Sequence, residues 1–297
     1  METEQLIYYN NYCCSHLQIR GSAPIFWQQR GLTAQTKITR SSELTTMAYL
    51  KHMNYIRTLY NKSLLVNLLT QARPHELLIT EAFENQVKIT NLPFIRYEYF
   101  DFHEIIKGKN YDRINPFIKK LSMINQDFKF FAQDLRTGNV LVVQTGVLRT
   151  NCLDCLDRTN FMMTKTGASI IEIQLRNMHV DTTSLFGADI LTQLDSTNAK
   201  QQHEFIINFK RLWADNGDVL SKHYSGTGSP ISNVTRTGKG SFLGMLEHGV
   251  KSINRFYVGN FEDHVRQECI DLITGRHTET LSGFLYKIMA FCLDKVT

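Results

Sequence analysis

The chain has 297 residues, 42% hydrophobic and 21% charged, a balance that is typical of a globular protein and excludes a disordered or fibrous chain. Its formal net charge of +5 is uneven, because residues 1–150 carry 18 lysines and arginines against 12 acids, whereas residues 151–297 carry 15 against 16. The basic first half suits an anionic partner such as a membrane surface, although a surplus of this size is also typical of an ordinary soluble surface, and nucleic acid is not expected. No apolar run reaches the roughly 18 residues that span a bilayer, and the first residues do not resemble a signal peptide.

The six cysteines do not form the disulfide framework of a small secreted domain, because the chain is too long and they are too scattered. We therefore expect a cytoplasmic protein whose thiols are free for chemistry. The cysteines stand at positions 13, 14, 152, 155, 269 and 292.

Strands and helices alternate in the first part of the chain. Residues 15–20 alternate polar and apolar side chains, as a half-buried strand does. Apolar residues at helical spacing predict a helix over 43–60, with Ser41 or Ser42 as its N-cap. A buried strand is predicted at Leu64 to Leu69, a helix at 76–87 and a strand at 95–102.

Helices dominate the second part. A helix is predicted at 117–131, followed by a hairpin in which Gly138 and Asn139 turn the chain into an apolar strand at 140–143. Periodic apolar segments predict helices at 161–175, 199–213, 247–256 and 262–273, with a Gly/Ser-rich loop at 225–240. The expected fold class is α/β, with a mixed sheet flanked by helices in one domain and a strand–loop–helix at its centre.

The segment RTNCLDCLDRTN at 149–160 places Cys152 six residues before Arg158. In a loop of this kind backbone N–H groups bind phosphate oxygens, the following helix adds its positive end, and the arginine grips two oxygens. The same surroundings lower the pKa of the thiol, so that a thiolate attacks phosphorus and forms a cysteinyl-phosphate that water cleaves. The pattern therefore predicts a phosphatase site that requires no metal and no cofactor.

The same spacing also joins Cys14 to Arg20. That segment has strand alternation, and its five intervening residues would extend over more than about 15 Å at about 3.3 Å each, too far to wrap a phosphate ion. Cys152 instead follows an apolar strand run and precedes a long predicted helix. We assign the chemistry to Cys152 and none to Cys14.

Two features oppose a simple interpretation of the loop. It contains no glycine, so an aspartate or another residue must adopt any positive φ angle that the turn requires. It also holds Asp154 and Asp157 beside the expected anion site, where repulsion requires that they turn away, bond backbone N–H groups or carry a proton. Either acid is a candidate proton donor to the leaving alcohol, or merely a cap of the loop and helix.

The pair Cys152 and Cys155 forms C-x-x-C, which leaves two rival interpretations. One is a dithiol redox site of the thioredoxin type, and the other is half of a zinc site. Zinc would need two further ligands, and Cys269 and Cys292 are isolated in the sequence. No H-E-x-x-H motif or Walker A loop occurs.

The motif RTNCLDCLDRTN resembles the signature of the Sac-domain phosphoinositide phosphatases, and other segments resemble the family in the same order. The sequences of these segments are most similar to those of synaptojanin-type Sac modules, and the resemblance covers about residues 3–275. The further segments are QIRGSAPIFWQQRG at 18–31, TRSSE at 39–43, KHMNYIRTLY at 51–60, VNLL at 66–69, LWADNGDVLSKHYSGTGS at 212–229 and GVKSINRFYVGNFEDHVRQECIDLITG at 249–275.

The resemblance implies a phosphatase that acts on phosphorylated inositol rings of membrane lipids, commonly the 4-phosphate and also the 3-phosphate. Cys152 would be the nucleophile, Arg158 the phosphate clamp, Asp154 or Asp157 the proton donor, and Thr159 a support for the thiolate or the hydrolytic step. The phosphate-binding set would be Leu153, Asp154, Cys155, Leu156, Asp157, Arg158 and Thr159.

The resemblance also sets expectations for the domain plan. Residues 1–275 would form the catalytic domain without the N-terminal, mostly β subdomain of the family, and residues 276–297 a tail that matches nothing in the family. The basic residues Arg20, Lys37, Arg40, Lys51, Lys107, Lys109, Lys119 and Lys120 are candidates for contact with an anionic membrane. A catalytically weak lipid-binding or scaffold module remains the alternative to a working phosphatase.

Overall fold

The structure is a computed structural model that describes residues 1–30, 35–106, 111–187, 189–196, 203–226 and 228–229. The strands are β1 (Glu2–Tyr9), β2 (Tyr12–Arg20), β3 (Trp27–Arg30), β4 (Gln35–Ile38), β5 (Lys62–Asn67), β6 (Ile95–Tyr99), β7 (Phe131–Asp134), β8 (Val140–Val142) and β9 (Gly146–Asn151). The helices are α1 (Ser42–Tyr60), α2 (Pro74–Thr90), α3 (Phe102–Ile105), α4 (Asn115–Phe128), α5 (Asp157–Asn177), α6 (Thr182–Phe186), α7 (Ile190–Asp195) and α8 (Glu204–Ser225).

In the described part of the chain, seven strands form one mixed sheet in the order β6-β5-β9-β2-β7-β8, with β1 paired to the other edge of β2. Strands β6, β5, β9 and β2 are parallel, whereas β1, β7 and β8 join in antiparallel pairs. Strand β2 pairs with β9 through its last residues and with β7 through its first residues. The Gln144 side chain fills the gap between these two partners, because it bonds both the N–H and the C=O of Leu17 at 2.9 Å.

Helices cover both faces of the sheet, because successive side chains of the buried strands point to opposite faces. Leu65 and Val147 face one layer and pack with α1 and α2 through Tyr49, Met53 and Phe83. Leu64, Val66 and Leu148 face the other layer and pack with α4 and α5 through Ile118, Met162 and Met163.

The fold class expected from the sequence is confirmed, a mixed sheet flanked by helices. The predicted strands at 15–20, 64–69 and 95–102 are β2, β5 and β6, and the predicted hairpin is β7 with β8. The predicted helices at 43–60, 76–87, 117–131 and 161–175 are α1, α2, α4 and α5, and Ser41 is the N-cap of α1. Cys14 lies inside β2, in the extended conformation that argued against a phosphate loop there.

Three sequence expectations were wrong or incomplete. The apolar run at 140–143 is the exposed edge strand β8, and the strand that leads to Cys152 is the fully buried β9. The helix expected at 199–213 begins at Glu204 and continues to Ser225, because its apolar stripe packs on α5. Strand β1 was not predicted, since its exposed face gives it little alternation of apolar side chains.

The helices expected at 247–256 and 262–273, most of the loop expected at 225–240 and the tail at 276–297 lie outside the described residues. Within the described ranges, no helix is both long enough and apolar enough to cross a bilayer.

Candidate active site

The carboxyl ends of the parallel strands meet at one edge of the sheet, which is where α/β proteins bind ligands. Arg20 ends β2, Asn67 ends β5 and Asn151 ends β9, and their registers place them side by side. The Asn151 Nδ2 atom donates to Asn67 Oδ1 at 2.8 Å across this edge. The segment 152–156 leaves β9 here and enters α5, so the predicted strand–loop–helix sequence is present.

The Cys152 sulfur is buried at the base of the loop and has three polar neighbours. The N–H of Cys155 donates to Sγ at 3.1 Å, and the Thr159 hydroxyl donates to it at 3.2 Å. The Cys152 thiol itself donates to Asp154 Oδ1 at 3.4 Å. Two donors thus point at the sulfur, as a thiolate requires, and one carboxylate accepts a hydrogen bond from the thiol.

The turn around this sulfur depends on Cys155, which adopts a left-handed φ of 56°. The sequence lacks a glycine here and predicted that another residue must take such a conformation; Cys155 does so, at an energetic cost. The turn is closed by Asp154, whose Oδ1 accepts the N–H of Leu156 at 3.0 Å. The N–H groups of Cys155 and Leu156 are therefore bonded within the loop itself. Leu153 is half-buried beside them.

The pKa of Cys152 differs from the sequence expectation. Burial, the side-chain hydrogen bond with the Cys155 thiol and the charge of Asp154 raise the pKa of Cys152 well above the ordinary thiol value, against the lowering effect of Arg158. The expectation that the loop lowers this pKa is wrong for the structure, because a fully buried sulfur lies next to a carboxylate. The hydrogen bonds with Cys152 and the charge of Arg149 instead lower the pKa of Cys155.

Arg158 stands in the first turn of α5, and its guanidinium forms a two-point ion pair with Glu76. Nη1 lies 2.8 Å from Oε2 and Nη2 lies 3.2 Å from Oε1. Burial alone would lower the pKa of Arg158, but the negative charges of Cys152 and Glu76 raise it above its ordinary value. The guanidinium is therefore charged and fixed in orientation beside the cysteine.

Two further arginines, Arg20 and Arg149, are buried on the Cys155 side of the loop, each only 4% exposed. Arg20 donates to the Cys155 carbonyl at 3.5 Å and to Asn160 Oδ1 at 3.1 Å, and burial lowers its pKa to about 10. Arg149 donates to the carbonyls of Gly21 and Ser22. Both pair with neutral acceptors, so their positive charges remain available to stabilise an anion at the loop.

The burial of Arg20 corrects its assignment as a membrane contact. Lys37, Arg40 and Lys51 are exposed, as that role requires. Lys119 and Lys120 are exposed but form ion pairs with Asp189 and Glu98, and Lys107 and Lys109 lie outside the described residues.

Asp157, the second candidate acid, is the first residue of α5. Its Oδ1 accepts the hydroxyl of Ser229 at 2.5 Å. The structure thus separates the two acids, because Asp154 contacts the cysteine sulfur and Asp157 anchors Ser229.

A pocket of about 250 Å³ opens beside the loop and is lined by Arg20, Trp27, Leu153, Asp154, Cys155 and Tyr224, among others. The aromatic side chains of Trp27 and Tyr224 suit contact with the face of a ligand ring, and Arg20 supplies positive charge at one wall.

Sequence reasoning missed Glu76, Arg149 and Asn160. Glu76 and Arg158 are 82 residues apart, and only the pairing of β5 with β9 brings them together. Arg149 and Asn160 are the first and last residues of the motif at 149–160, which was the signal available for them, whereas no local pattern marked Glu76.

The zinc interpretation finds no support in the described ranges, where no three His, Cys, Asp or Glu side chains cluster as metal ligands. Cys269 and Cys292 lie outside these ranges. The thiols of Cys152 and Cys155 are both free.

The fold and loop define an α/β protein with a Cys-x5-Arg segment at the carboxyl edge of its parallel strands. The SacI homology domain family matches residues 1–107. The chain is 33% identical over 277 residues to the Mus musculus phosphatidylinositide phosphatase SAC2, covering 93% of this chain and 23% of that protein. It is 34% identical over 280 residues to the Danio rerio phosphatidylinositol-3-phosphatase SAC1-A, covering 94% and 45%.

A third relative, the Arabidopsis thaliana phosphoinositide phosphatase SAC8, is 31% identical over 282 residues, covering 94% of this chain and 45% of that protein. The chain belongs to the SacI homology family, as its motifs indicated. It spans less than half the length of each of these relatives.

Proposed function

We propose that this chain is a phosphoinositide phosphatase that removes phosphate monoesters from inositol lipids through a cysteinyl-phosphate intermediate. The 4-phosphate is the first expected substrate and the 3-phosphate the second. Residues 1–275 are the proposed catalytic domain. The observation that carries the proposal is the Cys152 sulfur, which lies at the base of the loop beside two hydrogen-bond donors and the charged Arg158.

In the proposed first step the Cys152 thiolate attacks phosphorus, and the bond from phosphorus to the inositol oxygen breaks. Arg158 and the first N–H groups of α5 bind the phosphate oxygens, since a helix N-terminus and a guanidinium both favour phosphate. Arg20 and Arg149 add positive charge from behind the loop. In the second step water attacks phosphorus, which releases inorganic phosphate and regenerates the thiolate.

The proposed proton carrier is Asp154. It accepts the thiol proton of Cys152 when the thiolate forms and passes a proton to the departing inositol oxygen. In the second step its carboxylate takes a proton from the attacking water. The hydrogen bond from Cys152 Sγ to Asp154 supports this role, and the bond from Ser229 to Asp157 argues against the alternative acid.

The proposed substrate surface is an anionic membrane, with which the protein associates peripherally from the cytoplasm. Helix α1 supports this, because one of its sides exposes apolar side chains around Lys51 although its other side is buried in the core. Lys37 and Arg40 lie exposed in the segment before it. The exposed apolar side chains of α1 are Leu44, Met47, Tyr55 and Leu59.

The experiment is phosphate release from a panel of short-chain inositol lipids by the 297-residue chain and its Cys152→Ser variant. We expect release from a monophosphorylated lipid by the wild type and a loss of at least about 10³-fold in the variant. Equal rates in the two chains would end the claim of cysteine catalysis. No release of any lipid phosphate by a folded wild-type chain would end the claim of a phosphatase.

A second candidate function is a catalytically weak lipid-binding module, and the raised pKa of Cys152 favours it because a protonated thiol is a poor nucleophile. Sedimentation with vesicles that contain an inositol lipid distinguishes the two. Binding without hydrolysis supports the module, and turnover of the bound lipid contradicts it.

A further inference from the structure

Arg158 has five N–H groups, and its contacts use three of them. Nη1 donates to Glu76 Oε2 at 2.8 Å and to the Leu68 carbonyl at 3.3 Å, and Nη2 donates to Glu76 Oε1 at 3.2 Å. The remaining two N–H groups, on Nε and Nη2, have no acceptor within the described part of the chain. They share one edge of the planar guanidinium, which is the geometry that binds two oxygens of a phosphate group.

Glu76 is itself held rigidly. It is fully buried in the first turn of α2, where the helix dipole favours a negative charge. The N–H of Thr70 donates to Oε2 at 2.9 Å, and Arg73 lies 3.7 Å from Oε1. Burial alone would raise the pKa of Glu76, but the hydrogen bonds and charge of Arg158 lower it below its usual range. The carboxylate is therefore ionised at neutral pH and cannot move far.

We propose that Glu76 is a positioning residue for the phosphate clamp: its carboxylate holds the far side of the Arg158 guanidinium, so that the Nε–Nη2 edge is presented to a phosphate group in the Cys152 loop. The inference rests on the proposed function and deepens it. Without Glu76, the buried guanidinium can turn toward another carboxylate, such as Asp154, whose charge also acts on Arg158. A clamp in the wrong orientation loses one of its two bonds to phosphate.

The test uses inorganic phosphate, whose binding needs no turnover. Calorimetric titration of phosphate compares the 297-residue chain with Glu76→Gln, which preserves size and removes the charge, and with Glu76→Asp, which preserves the charge on a shorter stem. We expect phosphate binding to weaken about tenfold or more in Glu76→Gln and less in Glu76→Asp. The exposed Glu81 on the same helix provides the matched control, Glu81→Gln, with unchanged binding.

A double-mutant cycle separates positioning from general destabilisation. In the Arg158→Lys background the guanidinium fork is absent, so Glu76→Gln should weaken phosphate binding by less than about twofold further. The same cycle in kcat/KM for the best lipid should show the same coupling. Thermal melting of every variant establishes that each is folded at the assay temperature.

The inference is contradicted if folded Glu76→Gln binds phosphate as the wild type does, or if its effect is the same size with and without the arginine fork. If the wild-type chain binds phosphate but hydrolyses no lipid, the proposed function is contradicted. The double-mutant cycle measured by phosphate binding then still tests whether Glu76 positions Arg158. A Glu76→Gln chain that fails to fold leaves the decision to Glu76→Asp, for which wild-type phosphate affinity would overturn the inference.

Discussion

The neighbours of the Cys152 sulfur have opposing effects on the pKa of its thiol. The N–H of Cys155 and the hydroxyl of Thr159 favour the thiolate, while complete burial and the Asp154 carboxylate favour the thiol. Arg158 lies close enough to lower the pKa, but Glu76 neutralises much of its charge. The net result is a raised pKa, so the Cys152 thiol holds its proton until that proton passes to Asp154 or to the substrate.

The first prediction concerns the rate at which iodoacetamide alkylates Cys152 as a function of pH. Asp154→Asn removes the carboxylate charge next to the sulfur, so the midpoint of this profile should fall by about one pH unit. Peptide mass spectrometry distinguishes Cys152 from Cys155. Asp157→Asn serves as the control, because its carboxylate bonds Ser229 and should leave the midpoint in place. An unchanged midpoint in Asp154→Asn would show that Asp154 does not control the proton of this thiol.

The same substitution tests the proton carrier. General acid catalysis is worth typically about 10²–10⁴-fold, so Asp154→Asn should lower kcat for lipid hydrolysis by that amount, with a smaller change for Asp157→Asn. Steady-state rates on the best lipid of the panel measure both. A larger loss in Asp157→Asn would reverse the assignment of the two acids.

At the scale of elements, strand β9 determines where the loop begins. All six of its residues are buried, and it lies between β5 and β2 in the sheet. Its first residue is Gly146, at which the Phe128 ring of α4 packs directly on the backbone. A Cβ atom at this position would lie 2.5 Å from Cγ and Cδ1 of that ring.

We therefore expect Gly146→Ala to destabilise the protein by about 1–3 kcal/mol, since neither the buried ring nor the central strand can move freely. Urea denaturation of the 297-residue chain measures the change. In a Phe128→Leu background the same substitution should cost less, because the smaller side chain leaves space. Equal costs in both backgrounds would mean that the contact with Phe128 is not the cause.

The helices and strands also show where local sequence patterns are sufficient to predict secondary structure. Helices α1, α2, α4 and α5 were predictable because each has an apolar face at helical spacing and a length of about four to six turns. The edge strand β8 was predicted, but the buried strand β9 that follows it was missed, since its sequence GVLRTN is not a continuous apolar run. Only pairing across the sheet separates them.

At the scale of the whole molecule, the fold class and the central Cys-x5-Arg segment could be predicted, because both are local in sequence. The residues that surround this segment could not be predicted. Glu76, Arg20 and Arg149 reach the loop through the order of the parallel strands, and that order is set by long-range pairing. Arg20 was assigned to the surface because a basic residue alone carries no sign of burial.

The most direct measurement is to trap the covalent intermediate. The 297-residue chain is mixed with an inositol lipid whose phosphate is radiolabelled, quenched in acid within milliseconds, digested and mapped. We predict label on the peptide that contains Cys152, its absence in Cys152→Ser, and its disappearance after alkylation of Cys152. Steady release of labelled phosphate with no label on this cysteine at any quench time, and with turnover unaffected by its alkylation, would contradict the account.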